Sequence, residues 1–215
     1  MKKLSLFAGV ALSLLSFTAQ AQEKNLPPAT DFSNPHLIST TDWKIVIDQL
    51  RAEKWTEAEK TANTFLIRAE KDTAHPENAA ILRYMIINAI AGELASNQTD
   101  NETANNKLKK LNGQTVITPT YTFKSKALIN GITLTDDAKG WSQIVTNRAQ
   151  DVVMIKETYS LIYPSMAQDA YNKYENNNFR LQAKITAVSA TSIAHPHVEI
   201  SLSNAEIWDI SEPAK

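Results

Sequence analysis

Apolar positions along this chain change their period once, near Gly113: before it they recur every three or four residues, and after it they alternate. Trp43, Val46, Ile47 and Leu50 fall at offsets of zero, three, four and seven, the spacing of one helix face, with Thr40 or Thr41 offering an N-cap hydroxyl. After a polar break at 51–54, the series Trp55, Ala58, Ala62, Phe65, Leu66 and Ala69 repeats that spacing, with alanines where a neighbouring helix can come close. Two antiparallel helices joined by a tight turn are therefore predicted. Pro76 suits the first turn of the next helix, where its missing N–H is not needed. That third helix, over 77–95, carries the stripe Ile81, Leu82, Met85, Ile86, Ala89 and Ile90, with Tyr84, Ile87 and Leu94 beyond it. No charge falls between Tyr84 and Gly92, so the helix must be covered around most of its circumference and belongs at the centre of the helical layer. A polar loop at 97–101 precedes a fourth helix marked by Ala104, Leu108 and Leu111 and ended by Asn112-Gly113.

Beyond Gly113 the pattern predicts strands. Residues 116–123 form the first, and Leu128-Ile129, Asn130-Gly131 and 132–134 read as a hairpin, because Asn and Gly both tolerate positive φ. A turn follows at 136–140; Trp141 to Val145 fits helix or strand, Val152 to Ile155 fits a strand, and 165–174 reads as a short helix behind Pro164. The clearest strand alternates Phe179, Leu181, Ala183, Ile185 and Ala187 with Arg180, Gln182, Lys184 and Thr186, one face dry and one wet. Val198, Ile200 and Leu202, a turn at Ser203-Asn204, and Ala205, Ile207 and Ile210 suggest a closing hairpin. The fold class expected is α+β: a helical domain over 40–112, a β-rich domain over 113–210 and a tail at 211–215.

The start of the chain changes the picture of where this fold works. Met1, Lys2 and Lys3 precede an uncharged apolar run from Leu4 to Phe17 that closes in Ala19-Gln20-Ala21, the outline of a signal peptide over 1–21 cleaved before Gln22. The run falls short of the ~20 residues that span a bilayer, and no cysteine follows to carry a lipid, so a periplasmic or secreted protein without a membrane anchor is expected. Pro27, Pro28 and Pro35 mark 22–39 as a flexible leader. Loss of Lys2 and Lys3 leaves 20 of the 22 basic residues against 23 acidic ones, a net charge of -3. That balance argues against general nucleic-acid binding, which needs a broad positive field. The absence of cysteine excludes disulfides, thiol nucleophiles and thiolate metal sites.

Within 41–70, the segment 50–66 places Trp55, Glu57-Ala58, Ala62 and Phe65 in the register of a tetratricopeptide-type helical hairpin, which it resembles over about one repeat. The resemblance implies a stacked helical pair with a groove for a peptide or protein segment. It departs at the inter-helix turn, where Glu53 and Lys54 stand in place of glycine, and again over 76–111. The order helix at 165–174, polar run 175–178, alternating strand and closing hairpin resembles the small barrels called OB-folds in their exported bacterial form. In that family such barrels bind oligonucleotides, sugars or small cations, so the resemblance implies binding without naming a ligand.

Candidate chemistry is sparse. His195, His197 and Glu199 have strand spacing and would project from one face toward a zinc or copper ion, although polar residues on a wet strand face account for the same letters. Asp136-Asp137, and Asp151 with Glu157, offer carboxylates for an acid and base pair, but at turns and strand ends such residues are mostly solvated. Lys107, Lys109 and Lys110, with Lys124 and Lys126 beyond, form the strongest basic cluster and a candidate anionic-partner surface. Among the four tryptophans, Trp208 falls opposite Ile207 on the polar parity of its strand, which makes it a candidate contact residue. No G-x-S-x-G elbow, H-E-x-x-H helix or glycine-rich phosphate loop occurs, so no catalytic residue and no cofactor is assigned. The expectation is an exported binding or protein-interaction protein whose partner is an envelope protein or peptide. The alternative is a small metal- or ligand-binding OB-like protein with an undetected enzymatic activity. Limited proteolysis of the mature chain should cut first within 22–39 and next within 97–101, and early cuts within 84–92 would sink the central placement of the third helix.

Overall fold

The computed structural model describes residues 41–123, 131–134, 139–146, 152–162, 178–192 and 195–211. Helices α1 (Thr41–Arg51) and α2 (Trp55–Ala69) form the expected hairpin. In the turn between them Glu53 takes φ +54°, the left-handed conformation that glycine favours, and Lys54 N–H donates to the Gln49 carbonyl at 2.9 Å. A tight turn therefore forms here without the glycine.

Trp55 opens α2 and is 2% exposed. Its ring lies on Gly92 of α3 (Pro76–Ala95), so closely that a methyl carbon at Gly92 would sit 2.1 Å from Trp55 Cδ2. The indole N–H donates to Ser96 Oγ at 3.1 Å, satisfying the one polar atom that the ring carries inward. The side chain of Trp43, on the preceding helix α1, lies outside the described residues. α3 has Pro76 in its first turn and is buried from Ala79 to Leu94 except at Arg83, as a helix apolar on every side requires. It ends with Asn97 at φ +55°, a left-handed cap in which Gln98 N–H reaches back to the Glu93 carbonyl at 2.7 Å. α4 (Asn101–Leu108), continued by a 3-10 turn at Lys109–Leu111, starts at Asp100, whose carboxylate accepts from Thr103 N–H at 2.7 Å.

Among the described residues the second half forms a mixed sheet of seven strands: β1 (Thr115–Ile117), β2 (Tyr121–Phe123), β3 (Gly131–Leu134), β4 (Lys139–Val145), β5 (Val153–Leu161), β6 (Asn178–Thr191) and β7 (His197–Ser211). Neighbours run β1-β6-β2-β3-β4-β5-β7, and β7 also pairs with β6. The β2–β3 and β5–β7 pairs are parallel and the others antiparallel. The chain is thus α+β.

Two local expectations change, and the choice between helix and strand at 141–145 is resolved. Residues 116–123 make two short strands because Pro119 has no N–H for the ladder, and around it Leu181 N–H turns to Thr118 Oγ1 at 3.0 Å. Residues 141–145, left between helix and strand, are strand. The closing hairpin does not form: 197–211 is one continuous strand, and Asn204, at φ +52°, marks a bulge in it. Across that bulge the register jumps from Lys184 opposite Ser203 to Gln182 opposite Glu206, so the extra residue is absorbed without reversing the chain. β3 pairs with β2 and β4; residues 128–130, the first arm and turn of the hairpin expected there, lie outside the described residues, as do the leader and the helix expected at 165–174.

Helices and sheet share one continuous buried cluster, running from Val46 and Trp55 through α3 to Ile185, Val198 and Leu202. Along the edge of β6 beyond β1, helical-layer side chains replace a strand. The Asn105 amide donates to the Ala190 carbonyl at 3.1 Å and accepts from its N–H at 2.9 Å, and Asn112 Oδ1 accepts from Val188 N–H at 3.1 Å. Ladder groups that would otherwise be unpaired are thereby satisfied.

Trp55→Ala should lower stability by about 3–5 kcal/mol through the cavity it opens, and Gly92→Ala by about 1–3 kcal/mol through overpacking. In the double variant the added methyl occupies vacated space, so its loss should fall below the sum; denaturant midpoints of the three variants would show otherwise if the residues were not in contact.

A buried carboxylate and the cleft above it

Strand β5 divides its side chains cleanly from Lys156 onward. Lys156, Thr158 and Ser160 are exposed, whereas Glu157 and Tyr159 are buried with Ile155. Glu157 is 1% exposed, so the expectation that it is a solvated strand-end acid is corrected by its parity: it lies on the inward face between Ile155 and Tyr159. An unpaired carboxylate in such a place would be strongly disfavoured. Hydroxyls from four elements surround it instead. Tyr84 of α3 donates to Oε1, while Tyr121 of β2 (2.5 Å), Ser142 of β4 and Tyr159 of β5 donate to Oε2. Tyr84 and Tyr121 oxygens approach to 3.1 Å, and those of Ser142 and Tyr159 to 3.0 Å. Ser142 stands directly opposite Glu157 in the β4–β5 register. Burial first, then the charge of Glu157, raises the three phenols well above their ordinary value of 10.0, so they remain protonated donors.

The outward face of the same strands carries a different surface. Trp141 of β4, Thr158 of β5 and Ser201 of β7 are register partners in one row, with Lys139 and Ser160 paired in the row beside it. They line a cleft of about 700 Å³ together with Gly140, Tyr159, Thr186, Leu202 and Ser203. Thr158 Oγ1 lies 3.4 Å from Ser201 Oγ, and Thr186 Oγ1 donates to the Ser201 carbonyl at 3.0 Å. Trp141 is half-buried, and Lys139 is the only charged residue among the described lining residues. Tyr159, between Thr158 and Ser160 on the strand, is 2% exposed and turns its side chain inward, where its hydroxyl donates to Glu157. An aromatic ring amid hydroxyls suits stacking and hydrogen bonding to a ligand. Glu157 is sealed below and serves as a fixed acceptor.

Of the described residues singled out from the sequence, only His195, His197 and Glu199 lie together. His197 is buried, with Nδ1 2.7 Å from the His195 carbonyl oxygen and Nε2 3.2 Å from Glu199 Oε1, while His195 and Glu199 are exposed. Among the described residues no group of three His, Asp or Glu side chains is placed to hold a metal ion. Lys107 bridges Glu59 at 2.7 Å and Glu93 at 2.9 Å, tying α4 to α2 and α3; burial alone would lower its pKa, but these two bonds outweigh it and the net direction is upward. Lys109 and Lys110 are exposed on the 3-10 turn, and Lys124, Lys126, Asp136, Asp137 and Asp151 lie outside the described residues. Trp208 is partly buried and packs against the core, as does Ile207; the β6–β7 register shifts between Arg180 and Leu181, which interrupts the alternation behind the expected placement. Trp141 and the Glu157 cluster were not assigned from sequence. The usable signal was the shared parity of Ile155, Glu157 and Tyr159.

Comparison with protein-family models, curated proteins and solved structures finds no match to this chain.

The buried phenols set an alkaline limit. Unfolding frees three tyrosines to ionise at their ordinary value of 10.0, while the folded chain retains those protons, so stability falls as pH rises above that value. Each contributes a slope of about 1.4 kcal/mol per pH unit. Tyr84→Phe should cost about 1–3 kcal/mol at neutral pH, because Glu157 loses a donor, yet flatten the alkaline fall by one proton. Denaturant midpoints from neutral pH into the alkaline range test this, and parallel alkaline limbs for both proteins would contradict it.

Proposed function

We propose that this chain is an exported binding protein of the bacterial envelope that takes its ligand in the cleft around Trp141. Export is supported by the basic, then apolar, then Ala19-Gln20-Ala21 start of the sequence. No helix among the described residues is long and apolar enough to cross a membrane. The observation that carries the binding function is the cleft itself: about 700 Å³, within the range of ligand sites, with one half-buried aromatic ring and several convergent hydroxyls.

The finer architecture belongs to the same proposal. The sheet is an OB-like barrel, supported by β6 pairing with β1 and β2 along one edge and β7 along the other, and by the parallel β5–β7 pair. The α1–α2 hairpin is tetratricopeptide-like, supported by its tight turn and by the Trp55, Ala58 and Ala62 seam, all buried. In this arrangement the helical layer backs the sheet, and the Trp141 face stays open to a ligand or an envelope partner. Binding is favoured over catalysis because, among the described residues, the cleft presents no carboxylate or imidazole, and Glu157 is buried on the opposite face of its strand.

The test is retention of envelope-extract components by the immobilised mature chain and by Trp141→Ala. The variant should lose the retained ligand by about tenfold or more at an unchanged denaturant midpoint, since a half-buried ring on the outer face contributes more to contact than to the core. Equal retention by both proteins would place binding elsewhere. Recovery of a ligand chemically altered by the wild-type chain would favour an enzyme.

A further inference from the structure

Resting on the cleft being the binding site, we infer that its ligand is an uncharged oligosaccharide segment of an envelope glycan. Thr158, Ser160, Thr186, Ser201 and Ser203 contribute hydroxyls to the wall. A hydroxyl both donates and accepts, so a wall of them matches a ligand whose own groups do the same at every position. The Thr158–Ser201 approach at 3.4 Å and the Thr186 bond to the Ser201 carbonyl hold part of this wall in place before any ligand arrives. Trp141 stands in the same row as Thr158 and Ser201, so a flat apolar surface adjoins the hydroxyls, as the alternating C–H and O–H faces of a sugar ring require.

Charge and backbone geometry separate this ligand from its competitors. A polyanion needs several cations along its track, whereas Lys139 is the only charged group among the described lining residues. On the surrounding face Lys156 stands opposite Glu199 in the β5–β7 register, so the two exposed charges there are of opposite sign. A peptide bound by strand addition needs free backbone donors and acceptors at a sheet edge. The cleft instead lies across the face of β4, β5 and β7, whose backbones are already paired to one another.

The probes are maltohexaose, cellohexaose and chitohexaose as uncharged chains, and polygalacturonate and oligo(dT) as anionic ones. Each is titrated calorimetrically into the mature chain, Trp141→Phe and Trp141→Ala at low and at moderate salt. Binding of at least one uncharged chain is expected, indifferent to salt, weakened about tenfold or more in Trp141→Ala and largely restored in Trp141→Phe, which keeps a ring to stack on. Binding of the anionic chains alone, falling steeply with salt, would overturn the ligand class while leaving the cleft in place if Trp141→Ala still abolished it. Uncharged chains that bind Trp141→Ala as well as the wild type would overturn the cleft assignment itself. If none of the probes binds, the ligand class fails, and Trp141-dependent retention from envelope extract then decides whether the site survives.

Discussion

The burial of Glu157 is the constraint around which the rest of the structure is arranged. A carboxylate with 1% exposure and hydroxyl rather than cationic partners is tolerable only if its donors arrive together. Those donors come from α3, β2, β4 and β5, so the helical layer must dock on the sheet with Tyr84 directed inward and β4 must hold Ser142 opposite Glu157. Replacing the group by a hydrocarbon would relieve the electrostatic demand but would also remove the one acceptor that Tyr84, Tyr121, Ser142 and Tyr159 share. The helix-to-sheet geometry is thus specified by a polar requirement set inside an apolar cluster.

Two further devices carry the same docking outward. Trp55 fits against the bare backbone of Gly92, which fixes how near α2 comes to α3. Asn105 and Asn112 complete the edge of β6 with side-chain amides, so the helical layer and the sheet are joined by hydrogen bonds that a strand would otherwise have made. Lys107, held between Glu59 and Glu93, clamps α4 in the position that presents Asn105. With the inner surface of the sheet occupied in this way, the outer face around Trp141 is where it can meet a ligand. The two faces meet at β5, where Thr158 and Ser160 point to the cleft and Glu157 and Tyr159 point inward.

Much of this was legible one element at a time. The three-and-four spacing from Trp43 to Leu111 marks the helices because a helix repeats its environment every 3.6 residues, and Pro76 and Asn112-Gly113 bound them by backbone chemistry. The alternation from Phe179 to Ala187 is equally local. Where expectation failed, a long-range partner was responsible. Ser203-Asn204 has the composition of a turn, but β6 on one side and β5 on the other keep the chain extended, and the positive φ of Asn204 is absorbed as a bulge. Trp208 follows the polar parity until the shifted register brings it against the core.

The sequence by itself determined the α+β order and the central place of the helix from Pro76 to Ala95, because each follows from periods and sizes among residues close along the chain. Only the tertiary structure decided that Glu157 is enclosed, that His197 is turned to a backbone carbonyl and that Trp141 shares a cleft with Ser201. Glu157 and Tyr84 are 73 residues apart. Which strand lies beside which, and in what register, depends on how all seven pack at once, and no local spacing encodes that choice.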